Sequence, residues 1–143
     1  RRTQRLEALR DVGVDLGGPV GTAVHAFADG VVTHRGYNPT NGDYGHVIVT
    51  EHTLDGQQLY ALHGHLSAAS TAKWQVGDAF AAGEVLGWLG NHDENGGWPP
   101  HVHFQLATRR PDTHDMPGTV HVKDRDQALA DYPDPRLVLG PLW

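Results

Sequence analysis

From residue 11 to about residue 106 the chain is a succession of short runs rich in Val, Ile, Tyr and Phe, cut at close intervals by glycine. "VGVDL", "AVHAF", "GVVTH", "HVIVTEH", "QLYALHG", "EVLGWLG" and "HVHFQL" follow one another in that order. Runs of this length and composition are strands. No amphipathic stretch of roughly 10–15 residues separates them, so there is no helix to carry a parallel crossover, and neighbouring strands must pair antiparallel. "TLDGQQ" places Asp-Gly between two such runs, which is the signature of a two-residue hairpin. "TNGDYG" reads as a longer loop. These features predict an all-β, antiparallel, sandwich-like domain over 11–106.

The two ends read differently. Residues 1–10 carry a weak helical pattern through Leu6 and Leu9 and read as a linker or N-terminal segment. Residues 107–143 form a long, mostly irregular tail with one short helix expected in "KDRDQALADY", where Asp124 is the N-cap and Gln127 the third helical position. "YPDPRLVLGPLW" reads as extended chain that wraps or docks. The first residue is Arg, so the expectation is a processed chain or a domain cut from a longer one. "RRTQRLEALR" lacks the apolar segment of a signal peptide, and no apolar run approaches the ~20 residues that span a bilayer.

Charge and cysteine usage narrow the chemistry. A net charge of −6 without a basic stripe argues against nucleic acid as a partner. With no cysteine, neither disulfides nor thiolate metal sites are available. A transition-metal site must then use His, Asp or Glu, and histidine is abundant at 11 residues.

Three places gather such residues. In "PPHVHFQL", His101 and His103 alternate with Val102, Phe104 and Leu106, so both imidazoles face one side of a strand, roughly 6.5–7 Å apart at Cα. In "LYALHGHLS", His63 and His65 alternate with Leu62 and Gly64 in the same way, although only one of the two need belong to a site. In "RDVGVDLGG", Asp11 and Asp15 flank Val-Gly-Val. A flat strand would hold these acids about 13 Å apart, too far to share an ion. Gly13 permits a bend or bulge that brings them together.

Taken together and in order, "DVGVDL", "GTAVHAFADGVV", "YGHVIVTEH", "YALHGHLS", "VGDAFAAGEVLGWLG" and "PPHVHFQL" resemble the M23 family of zinc metallopeptidases, the lysostaphin or LytM type. The resemblance implies a zinc site in which Asp15 and His103 match two of three ligands. Asp11 stands where the family keeps its first ligand, normally histidine. His65 matches the mid-sequence catalytic histidine, and His101 the histidine beside the attacking water. His52 falls where a packing or supporting role is expected, and the remaining histidines fall on no site position. "NGGWPPHVHFQL" and "DPRLVLG" are similar to a narrower subgroup in which this domain lies between a phosphotransferase domain and a class III aminotransferase domain. That resemblance implies a cytoplasmic protein, with a periplasmic or extracellular place if a missing N-terminus carried a signal.

A catalytic zinc needs three protein ligands and one open position. Two carboxylates and one neutral imidazole make a Zn²⁺ site formally neutral and a weaker Lewis acid, and the harder donors suit Mn²⁺ or Fe²⁺ better than the usual set would. Three readings stay open on sequence alone: a hydrolase of peptide or amide bonds, a degenerate binding or scaffold module, and a metal site for a small amine metabolite. Trp88 and Trp98 either line a groove or pack over glycine-rich turns.

Overall fold

The computed structural model describes residues 9–11, 13–116, 119–121 and 132–139, with the backbone alone at 9–11, 119–121, 136 and 137. The strands are β1 (Leu9–Asp11), β2 (Val14–Gly17), β3 (Ala23–His25), β4 (Gly30–Asn38), β5 (Gly45–Leu54), β6 (Gln57–Leu66), β7 (Ala79–Phe80), β8 (Val85–Trp88), β9 (His101–Ala107) and β10 (Thr119–His121). The helices are α1 (Ala68–Lys73) and α2 (Arg136–Leu139). Six strands form one sheet in the order β2-β9-β6-β5-β4-β7, and β1-β10 and β3-β8 are two-stranded ribbons. Every pairing among the described residues is antiparallel. The all-β expectation therefore holds, and the fold is mostly antiparallel sheet.

The hairpin expected at Asp-Gly is present. Leu54 pairs with Gln57, and Asp55 and Gly56 have φ of 52° and 79°. Two left-handed residues give a turn whose twist matches that of the strands it joins. The helix expected around Asp124 and Gln127 lies outside the described residues. The best-formed helix, α1, has no periodic sequence signal because it is barely two turns long. Ser67 starts it, its Oγ accepting from the Ser70 amide at 3.3 Å, and extended backbone at Trp74 ends it. Among the described residues, no helix is long and apolar enough to cross a membrane.

The sheet is buried on both faces. On one, Val32, Ile48, Leu66, Leu86 and Val102 cluster, and Ala61, Phe104 and Leu106 continue the layer. On the other, Val47, Val49, Tyr60 and Leu62 pack with Tyr44 and Met116. Alternation along β9 thus sends Val102, Phe104 and Leu106 one way and His101, His103 and Gln105 the other. The polar side of β9 is enclosed as tightly as the apolar side: His103 and Gln105 are both 0% exposed.

Candidate active site

Asp15 and His103 face each other because β2 pairs with β9 in a register that sets them directly opposite. His103 Nδ1 lies 2.9 Å from Asp15 Oδ1. His101, next along the same face, brings its Nε2 to 3.8 Å from that same oxygen. Gly64 is the residue opposite His103 on the other flank, in β6. It carries no side chain, and a Cβ there would stand 3.1 Å from the Tyr44 ring. The space goes to Tyr44, whose ring centroid is 5.0 Å from that of His103.

Asp11 and Asp15 are not in one strand. Asp11 ends β1 and pairs with Thr119 of β10, whereas Asp15 lies in β2 of the main sheet. The chain changes sheets between them, at the glycine where a bend was expected. A Cβ on Gly13 would lie 2.7 Å from both His103 Nε2 and the Phe104 carbonyl oxygen, so only glycine lets the chain pass this close to the imidazole. The Asp11 side chain lies outside the described residues.

The second histidine pair departs from simple alternation. His65 has φ of 64°, in the left-handed region. This flips its side chain away from the face that His63 occupies. His63 packs on Phe104 in the apolar layer. His65 instead lies with its ring centroid 4.3 Å from His101 and 6.3 Å from His103. A left-handed non-glycine residue costs about 1 kcal/mol or more and persists where its surroundings hold it. Here the His65 amide donates to the Tyr44 carbonyl at 2.6 Å, and its carbonyl accepts from Gly90.

Hydrogen bonds fix where the imidazole protons are. His65 Nδ1 donates to the Asn95 carbonyl at 2.7 Å and His101 Nδ1 to the Pro99 carbonyl at 2.7 Å. A carbonyl can only accept, so in the neutral form of each ring the lone pair is on Nε2. Both Nε2 atoms are buried without a hydrogen-bond partner. Burial above all, with the neighbouring His101 and His103 adding to it, pushes the His65 pKa down to about 3, so its ring is neutral at physiological pH. Asp15 Oδ1, His101 Nε2 and His103 Nδ1 therefore lie close together, with the His65 ring beside them.

Such a cluster suits a cation. Asp15 and His103 supply one oxygen and one nitrogen donor of the kinds zinc takes. Among the described residues, no three His, Asp or Glu side chains are grouped to hold an ion, so the described part of the donor set is two of three. In kind, these two donors fit zinc.

Comparison with known proteins places this geometry. The family model for peptidase family M23 matches residues 10–115. The chain belongs to peptidase family M23. It is 39% identical over 93 residues to the DD-carboxypeptidase/endopeptidase Mpg of Neisseria meningitidis serogroup B, covering 65% of this chain and 19% of that protein. It is 36% identical over 97 residues to the glycyl-glycine endopeptidase ALE-1 of Staphylococcus capitis, covering 67% and 24%. The chain thus spans about a fifth of the length of these M23 relatives. Among solved structures, the solution structure of lysostaphin superposes with a TM-score of 0.55 at 28% identity, covering 71% of this chain and 38% of that one. The catalytic domain of the prophage-encoded M23 protein EnpA from Enterococcus faecalis gives 0.56 at 24%, covering 78% and 73%, a likeness of fold. M23 peptidases are zinc enzymes in general.

Of the residues singled out in the sequence, Asp15, His65, His101 and His103 come together in this M23 fold. His52 is buried in the apolar layer, its two ring nitrogens bonded to Thr50 and the Asp29 carbonyl. Trp98 meets the edges of His65 and His101 at 5.8 and 6.1 Å, whereas Trp88 sits under Lys73 on the helix side. Three residues escaped sequence reasoning. Tyr44 lies in a loop without a pattern. Asn95 is fully buried and ties together 90–98 through Gly90, Gly97 and Trp98, again without a sequence signal. Gln105 was legible, since it stands two residues beyond His103 on the same face.

Proposed function

We propose that this domain is a metal-dependent hydrolase of peptide bonds, in which Asp15 and His103 hold a zinc ion with a third ligand from the Asp11 segment. The observation that carries the reading is the convergence of Asp15 Oδ1 and His101 Nε2, with the His65 ring tilted beside them. Zinc bound there would polarise the scissile carbonyl and make water acidic enough to attack at neutral pH.

The chain's own residues supply the proton chemistry. His65 is a neutral acceptor, and His101 turns its Nε2 to the same space, so either ring is placed to take the proton that water gives up. Once protonated, the ring is an acid, and the leaving amine requires that proton. The backbone carbonyls of Pro99 and Asn95 keep each ring in the tautomer that can do this. Trp98 and Tyr44 wall the histidines and keep bulk water from them. The substrate class is a peptide, in line with the endopeptidase names of the relatives.

Asp11 in place of histidine favours a second reading, a binding module that keeps the M23 shape without turnover. The test is elemental analysis and zinc titration of the purified protein, paired with cleavage of a glycine-rich peptide. One equivalent of zinc and zinc-dependent cleavage support the hydrolase. Less than about a tenth of an equivalent, with none taken up on titration, overturns it. Cleavage that appears only in Asp11→His selects the binding module.

A further inference from the structure

The tautomers of His65 and His101 are dictated by backbone carbonyls, but that of His103 is not. Its Nε2 lies 2.8 Å from Oε1 of Gln105, a side-chain amide that offers either an acceptor or a donor. We infer that Gln105 is a positioning residue: its carbonyl oxygen keeps a proton on His103 Nε2 and thereby turns the Nδ1 lone pair toward Asp15. The inference rests on the metal-hydrolase reading for its purpose, but its statement about the ring stands on the geometry.

With Nε2–H donated to Gln105, Nδ1 and Asp15 Oδ1 are two acceptors 2.9 Å apart. Two lone pairs at that distance repel unless a positive charge lies between them. A cation held there would supply that charge. The opposite amide orientation would donate from Gln105 to Nε2 and leave Nδ1–H pointing at Asp15, a hydrogen bond complete without any metal. The sequence of contacts favours the first arrangement, because the donor it needs on Nε2 is the one a metal-ligating histidine gives to an outer acceptor. Gln105 is wholly buried, so it has little room to trade orientations in solvent. Gly13 approaches the same nitrogen, and a Cβ there would lie 2.7 Å from it.

The test reads the ring before it reads activity. Nitrogen-15 NMR of the metal-free wild-type protein should show Nε2 of His103 protonated. An unprotonated Nε2 overturns the inference, whether or not the protein binds zinc. Zinc affinity, measured by competition with a chromophoric chelator, should fall about 10- to 100-fold in Gln105→Met, with the cobalt-substituted spectrum altered. Gln105→Glu, which keeps an acceptor at that place, should restore affinity and spectrum. Unchanged affinity and an unchanged Nε2 signal in Gln105→Met overturn it. A wild type that takes up no zinc would sink the hydrolase reading and leave the NMR result to decide this one. Should the methionine variant fail to fold, the wild-type spectrum still decides.

Discussion

His63 and His65 stand two residues apart in β6, and in isolation they look alike. Each donates Nδ1–H to a backbone carbonyl, of Ile48 in one case and Asn95 in the other. Each buries an Nε2 without a partner. Burial pushes the pKa of each well down, to about 4 for His63 and about 3 for His65. Their surroundings differ completely. His63 shares a layer with Phe104 and lines an apolar cavity of about 230 Å³ with Leu16, Val24 and Phe27. His65 meets His101, His103, Tyr44 and Trp98. A buried, neutral histidine with a depressed pKa is therefore no mark of a site by itself. What marks the site is other acceptors converging on the same space.

Exchanging the two losses gives the largest expected effect. His65→Ala should lower kcat on a peptide substrate by about 10²- to 10⁴-fold, the usual weight of a general acid–base group, with zinc still bound. His63→Ala should leave kcat within about threefold while lowering stability by roughly 2–4 kcal/mol, since it opens a cavity in a packed layer. Steady-state kinetics and urea unfolding on both variants separate the two. Equal loss of kcat in both would erase the distinction between the faces.

Gly13 tests the same contrast from the chain's side. Gly13→Ala puts a methyl 2.7 Å from His103 Nε2 and the Phe104 carbonyl, and the carbonyl belongs to a central strand that cannot shift freely. Zinc affinity should drop about tenfold or more, because the disturbed nitrogen holds the outer bond of a ligand. Chelator competition checks it, and an affinity equal to wild type would show that the close approach is incidental.

Much of this is legible in the sequence. Strand-like runs and the absence of crossover helices dictated an antiparallel sheet. Alternation in "HVHFQL" placed His101 and His103 together, and Gly13 signalled the bend after Asp11. The faces of His63 and His65 were not legible. Alternation assigns residues two apart to the same side, and only the left-handed backbone at His65 separates them. That conformation depends on a hydrogen bond to the Tyr44 carbonyl and one from the Gly90 amide, both remote in sequence. Asn95 was hidden for the same reason: its role is in a loop whose shape comes from what it bonds to.

Acid should distinguish the faces more gently. A histidine buried neutral has a folded pKa below its unfolded value of about 6.5, so its stabilising effect is present above that value and is lost as pH falls toward the folded pKa. For His63 the window runs from about pH 6.5 down to about 4. The loss across it is at most roughly 3 kcal/mol. His63→Leu, which fills the place with an apolar group, should flatten the pH dependence of unfolding free energy in that window. Persistence of the full wild-type slope in this variant would assign the slope to other groups.

The smallest effect concerns what holds β6 in its turn at His65. Two supports are available: the hydrogen bonds of His65 itself, and α1, which begins at Ser67 just beyond. Ser67→Ala removes the oxygen that accepts from the Ser70 amide and should cost about 1 kcal/mol of stability, typical for a helix cap. If the bonds to Tyr44 and Gly90 hold the left-handed residue, kcat should stay within about twofold, because the ring of His65 is anchored at Asn95 and not at the helix. If α1 does the holding, the loss in kcat should match that of a displaced base and exceed tenfold, the penalty of a misplaced group. Kinetics and thermal unfolding on this one variant thus assign the bend to local hydrogen bonds or to the helix, and with it the reason that two histidines in one strand came to face opposite sides of the sheet.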